Sequence, residues 1–173
     1  MIIEEVIDKM FRPIERKLNC FETMSELAKK NDLKLESSIL KSEVLEANRY
    51  LSRLMEIPLT TKVYHIMRLK VMNELPVAVE SSYFVYGNVE GIEQYDLKNC
   101  SLYEILNKEF NCKMKERKEE FRIVRATEIE RDHLRVPLES SLLMIKGCVR
   151  DVKGMVVEYF ENTVLPDLYV FKG

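Results

Sequence analysis

Three features of the sequence predict an α+β fold built on a largely antiparallel sheet. Two stretches, "RLKVMNELPVAVE" (68–80) and "RDVKGMVVE" (150–158), each read as two strands joined by a tight turn. Helical segments fall between hairpins instead of alternating strictly with strands, which argues against a parallel Rossmann-type sheet. The chain also repeats itself: Ala47 matches Ala126, and Ile57-Pro58-Leu59 matches Val136-Pro137-Leu138, both at an offset of 79 residues.

The elements follow in order. Apolar residues at Ile3, Val6, Ile7, Met10, Phe11, Ile14 and Leu18 have helical spacing, interrupted by Pro13, so residues 1–19 read as a linker or N-terminal helical segment ahead of a domain at 20–173. "TMSELAKKND" opens with Thr23 and Glu26 in capping-box spacing and runs as a helix to Asn31. Leu33, Leu35, Ser37, Ile39 and then Val44 or Leu45 predict a long strand that changes face once, at a bulge. A short helix at 48–55 precedes two long strands, about 61–73 and 76–86, with the turn at Asn73-Glu74. "SLYEILNKEF" carries a second capping box, Ser101 and Glu104, and an apolar face of Leu102, Ile105, Leu106 and Phe110. A strand at about 113–125, a short helix near 127–133 and a second hairpin complete the chain. Gly154 supplies the positive φ that the second turn prefers.

Composition bounds the function. The 173 residues are 46% apolar and 32% charged, with five glycines and five prolines, a globular profile large enough for a real core. A net charge of −2 gives no basic field for nucleic acid. Cys20, Cys100, Cys112 and Cys148 are scattered and form no CxxC, and two histidines cannot build a His-rich site, so neither a disulfide framework nor a metal site is expected. No apolar run approaches the ~20 residues of a membrane span. The expected compartment is a reducing cytoplasm.

Within the repeat, each half closes its hairpin with a glutamate. Glu80 and Glu158 align if the second hairpin is one residue shorter at its turn, so two related strands each present a carboxylate. Whether these converge on one cavity or lie at opposite ends of the sheet stays open. Arg68 and Lys70 share a strand face and repel each other unless an anion, Glu80 or a ligand, sits between them. Solvated charge on a wet sheet face is the plainer reading of the same pattern.

From Thr23 onward the chain resembles the UTRA domain, the effector-binding half of HutC-subfamily GntR transcription regulators. The resemblance rests on "TMSE", "IPLTTKVYHIMRLKVMNELPVAVE", "SLYEIL", "HLRVPLESSLLMIKGCVRDVKGMVVEYF" and the closing "PDLYVF", in the family's order. It implies a chorismate-lyase-like fold, a six-stranded antiparallel sheet with helices packed on it. It implies a homodimer that binds a small anionic effector, a sugar phosphate or an organic or amino acid, without cofactor, metal or membrane. DNA would be held only through a winged-helix domain absent from this chain.

The resemblance also carries site residues. Thr23 and Met24 start the helix expected to cradle an anion, Arg68 and Lys70 take the place of an Arg-x-Arg pair, and Glu80 accepts from ligand hydroxyls or an amine. Ser101, Glu158 and Tyr159 complete the set, with capping as the alternative role of Thr23 and Ser101. Lysine at 70 replaces the second arginine, Met24 stands where phenylalanine is common, and "PDL" near 167 departs from the usual closing motif. Two other functions compete: a lyase-like enzyme using Arg68 and Glu80, and a dimerisation module without ligand. The family expectation is a sensor and not an enzyme.

Overall fold

The computed structural model describes residues 12–18, 20, 22–98 and 100–173. Its main element is a six-stranded sheet in the order β2-β3-β4-β7-β6-β5, every neighbouring pair antiparallel. The strands are β2 (Leu35–Glu46), β3 (Lys62–Met72), β4 (Leu75–Val85), β5 (Met114–Arg125), β6 (Ser141–Asp151) and β7 (Val156–Val164). The helices are α1 (Met24–Lys30), α2 (Arg49–Met55), α3 (Leu102–Phe110) and α4 (Glu128–Leu134). Two further strands, β1 (Ile14–Lys17) and β8 (Tyr169–Lys172), pair in parallel as a separate two-stranded sheet.

Most local expectations hold, for the expected reasons. Thr23 and Glu26 form a reciprocal capping box at α1. Asn73 and Glu74 both have positive φ, 46° and 69°, as a two-residue hairpin turn of matching twist requires. The face change in β2 is a register shift between Ile39 and Lys41. Helix α3 packs Leu102, Ile105 and Leu106 against Tyr64, Ile66 and Phe84 on one face of the sheet. Helix α2 packs Leu51 and Met55 against Val63 and Tyr159 on the other.

Three expectations are corrected. The helical spacing read over residues 2–18 lies in part outside the described residues, at 1–11. Ile14–Lys17 is a strand, with Ile14 and Arg16 buried and Glu15 and Lys17 exposed. Pro13 removes a backbone donor at its start, and alternate burial against β8 wins over helix formation. At α3 the Ser101 side chain makes no capping bond. The third is the shorter turn expected of the second hairpin.

The duplication recurs in the backbone bonds at Ala47 and Ala126. Ala47 N–H donates to the Thr61 carbonyl and Thr60 N–H to the Ala47 carbonyl; Ala126 with Ser140, and Glu139 with Ala126, do the same in the second half. The offset of 79 also relates the Glu43–His65 strand pair to Arg122–Met144. Across the hairpins, however, Arg68 faces Glu80, whereas its counterpart Gly147 faces Phe160. The second turn is therefore one residue longer, not shorter, and the counterpart of Glu80 is Phe160 instead of Glu158. Both glutamates nevertheless project from the same face of the sheet, because Glu158, Phe160 and Asn162 alternate along β7 opposite Phe84, Ser82 and Glu80.

Candidate functional site

On the face covered by α1 and α3, the sheet's middle strands floor a small cavity of about 50 Å³. Its wall contains Thr23, Met24, Arg68, Lys70, Glu80, Ser101 and Glu158, seven of the eight residues singled out from the sequence. Tyr159 is not among them. Strand alternation sends its side chain to the opposite face, where its hydroxyl lies 2.9 Å from that of Tyr50 and also donates to Glu161.

Two clusters of like design dominate the electrostatics. On β3 and β4, Arg68 Nη2 lies 3.1 Å and Lys70 Nζ 3.5 Å from the same oxygen of Glu80. The side chains are 8%, 4% and 13% exposed respectively, so two buried cations share one carboxylate. Burial pushes the Glu80 carboxyl up, but Lys70, Arg68 and Arg117 outweigh it and hold it below the ordinary range. Burial also lowers the Lys70 ammonium, with Glu80 opposing. Lys70 donates a second bond to Ser37, at 2.7 Å.

The second cluster was not anticipated. Arg16 of β1 grips Glu119 through both carboxylate oxygens, at 2.6 and 2.8 Å, and Arg117 of β5 donates to the same group at 2.6 Å. Arg16 and Arg117 both line the cavity. Arg16 sits among the rings of Phe121, Tyr169 and Phe171, and the Arg117 guanidinium lies 3.9 Å from the Phe160 ring centroid. The alternating charges of "KMKERKEEFR" look like those of any solvated edge strand, so the inward turn of Arg117 had no separate signal. Arg16 was concealed by the helical reading of its segment.

A third set is polar and less charged. Glu158 is 1% exposed and accepts a hydrogen bond from Tyr103. Burial raises its carboxyl above the ordinary range, against the pull of Arg117, Tyr103 and Ser82. Asn162, across the strand pair from Glu80, has a side-chain oxygen that is buried without a hydrogen-bond partner. An orphaned acceptor in a cavity wall is a place for a donor. Thr23 is more committed: Glu26 takes its N–H and its hydroxyl, leaving the first-turn N–H groups of Met24 and Ser25 without intrahelical partners.

The arrangement can hold an anion among buried cations and accept hydrogen bonds from its other end. The UTRA domain profile matches residues 30–170. The chain belongs to the UTRA domain family.

The fold is shared with regulator domains of known structure. The effector domain of PhnF from Mycobacterium smegmatis superposes with a TM-score of 0.84 at 14% identity, covering 92% of this chain and 97% of that one. A ligand-binding domain assigned to a GntR-family transcriptional regulator of Bordetella bronchiseptica gives 0.75 at 23% identity, covering 81% and 89%. A GntR-family regulator from Bacillus cereus gives 0.72 at 19%, covering 80% and 96%. No curated protein sequence matches significantly. Among the described residues of this UTRA domain, no helix is long and apolar enough to cross a membrane.

Proposed function

We propose that this UTRA domain binds a small effector with an anionic group and at least one hydroxyl or amino group, and that Arg68 is the principal anchor of the anion. The observation that carries this reading is the convergence of four cations, Arg16, Arg68, Lys70 and Arg117, on one small cavity. They share two carboxylates, Glu80 and Glu119. Guanidinium offers a fork that fits phosphate or carboxylate, and Lys70 adds a point charge beside it. The unsatisfied Asn162 oxygen and the Glu158 carboxyl give hydroxyl or amino groups their acceptors. Met24 closes an apolar part of the wall, and Ser101, released from capping, supplies a hydroxyl.

The domain acts as a sensor of a HutC-subfamily GntR regulator in the cytoplasm, holding DNA only through a winged-helix domain outside this chain. It works as a homodimer. In support, its exposed apolar residues recur with the repeat: Val44 with Ile123, Tyr50 with Ile129 and Leu59 with Leu138. Sedimentation equilibrium reads this directly; a monomer at tens of micromolar removes the dimer from the account.

An enzymatic role for Glu80 is disfavoured by its environment. A carboxyl held ionised by two cations is a poor proton donor. The direct test is calorimetric titration with inorganic phosphate, sugar phosphates and carboxylic acids. At least one should bind without turnover, Arg68→Ala should lose that binding, and Tyr159→Phe, altered on the opposite face, should keep it. Equal affinity in wild type and Arg68→Ala removes the assignment.

A further inference from the structure

Beside the deep cavity lies a second, wider groove of about 320 Å³. It runs between α1 and the edge strand β2 toward the segment before α3, and it shares Ser25, Lys70 and Ser101 with the cavity. Its charged wall residues are Lys29, Lys70 and Lys98, its hydroxyls are Ser25, Ser37 and Ser101, and among the described residues no carboxylate lines it. In a chain of net charge −2, a groove with three cations and no acid is a local concentration of positive potential, not a sample of a generally basic surface.

Lys70 ties the two spaces together. Its side chain is 4% exposed, and its ammonium stands between Ser37 of the groove, at 2.7 Å, and Glu80 of the cavity, at 3.5 Å. A lysine this buried is costly to keep charged, which its lowered basicity reflects. A ligand that bridges cavity and groove would place negative charge on both sides of it. Within the groove, Lys29 and Lys98 have no acidic wall residue to neutralise them.

We infer that the effector is an elongated anion with two separate anionic groups, phosphates or carboxylates on a short linker, one held at Arg68 in the cavity and the other by Lys29 and Lys98 in the groove. This inference rests on the reading of the cavity given above and extends it to the size and charge of the ligand. The groove's apolar wall, Leu33 and Leu35, suits the linker. Two linked groups bind together more tightly than either alone when the linker spans their sites, and the gain falls away when it is too short or too long.

Calorimetric titration at fixed ionic strength, with α,ω-alkylene bisphosphonates of increasing length and the matching monophosphonates, tests this. Fixing the salt holds general charge attraction constant. One length should bind at least about tenfold tighter than its monophosphonate. The double variant Lys29→Ala/Lys98→Ala should bring that compound down to the affinity of the one-headed analogue, and Arg68→Ala should lose both. Bisphosphonates no tighter than monophosphonates at every length, or a gain that survives the double lysine variant, overturn the groove while leaving the cavity reading in place. Failure of the phosphonates and of the corresponding mono- and dicarboxylates alike to bind wild type overturns both.

Discussion

Glu80 and Glu158 show how the same side chain serves opposite ends on one sheet face. Glu80 neutralises Arg68 and Lys70 and is held ionised, while Glu158 is buried against Tyr103 and shifts toward its protonated form. Removing the Glu80 charge leaves two buried cations uncompensated, so Glu80→Gln should cost about 3 kcal/mol at neutral pH. Glu158→Gln should be close to neutral. The acid dependence separates them further. A carboxyl whose folded value lies below 4.5 contributes stability that is present above 4.5 and lost as pH falls through the folded value. Glu158, raised above 4.5, disfavours the fold as pH rises from 4.5 through its folded value. Urea midpoints from pH 3 to 7 should therefore fall less steeply on acidification in Glu80→Gln than in wild type. An unchanged slope contradicts the pairing of Glu80 with the two cations.

Among the elements, the hairpins and capped helices were legible because their signals are local. Asn73-Glu74, Gly154 and Thr23 each act within a few residues of themselves. Strand β1 was not, since Ile14 and Leu18 fit a helical spacing and its partner β8 lies more than 150 residues away. The candidate site was legible to the extent that parity along a strand is readable. Arg68, Lys70, Glu80 and Glu158 share a face, and Tyr159 as Glu158's neighbour had to point away. The longer second turn needed the register itself. Gly147 is the element-scale feature with the sharpest consequence. A Cβ there would sit 1.8 Å from the Lys118 carbonyl oxygen, so β6 and β5 meet as they do only because the side chain is absent. Gly147→Ala should destabilise the fold by about 3 kcal/mol in urea unfolding and disturb Arg117 and Glu119 on the adjoining strand. A change below about 0.5 kcal/mol, the size of an ordinary surface substitution, contradicts the close approach.

At the scale of the whole molecule, the duplication builds a pseudo-symmetric sheet and the site departs from that symmetry. Where the first half places Arg68 opposite Glu80, the second places Gly147 opposite Phe160, and the Phe160 ring becomes the platform for Arg117. One half thus supplies the cation pair around Glu80, and the other supplies an aromatic wall with a guanidinium against it. The N-terminal strand adds Arg16 to the same cavity, so residues from both ends of the chain and both repeats meet there. This meeting point is an anion site in the proposed function, and an anion bound there can be seen by diffraction. Crystals soaked in tungstate, a phosphate-shaped ion with a strong anomalous signal, should show a peak within hydrogen-bonding distance of the Arg68 guanidinium and the Lys70 ammonium, absent in Arg68→Ala. Anomalous peaks confined to exposed lysines, with none in the cavity, would show that Arg68 and Lys70 hold no anion.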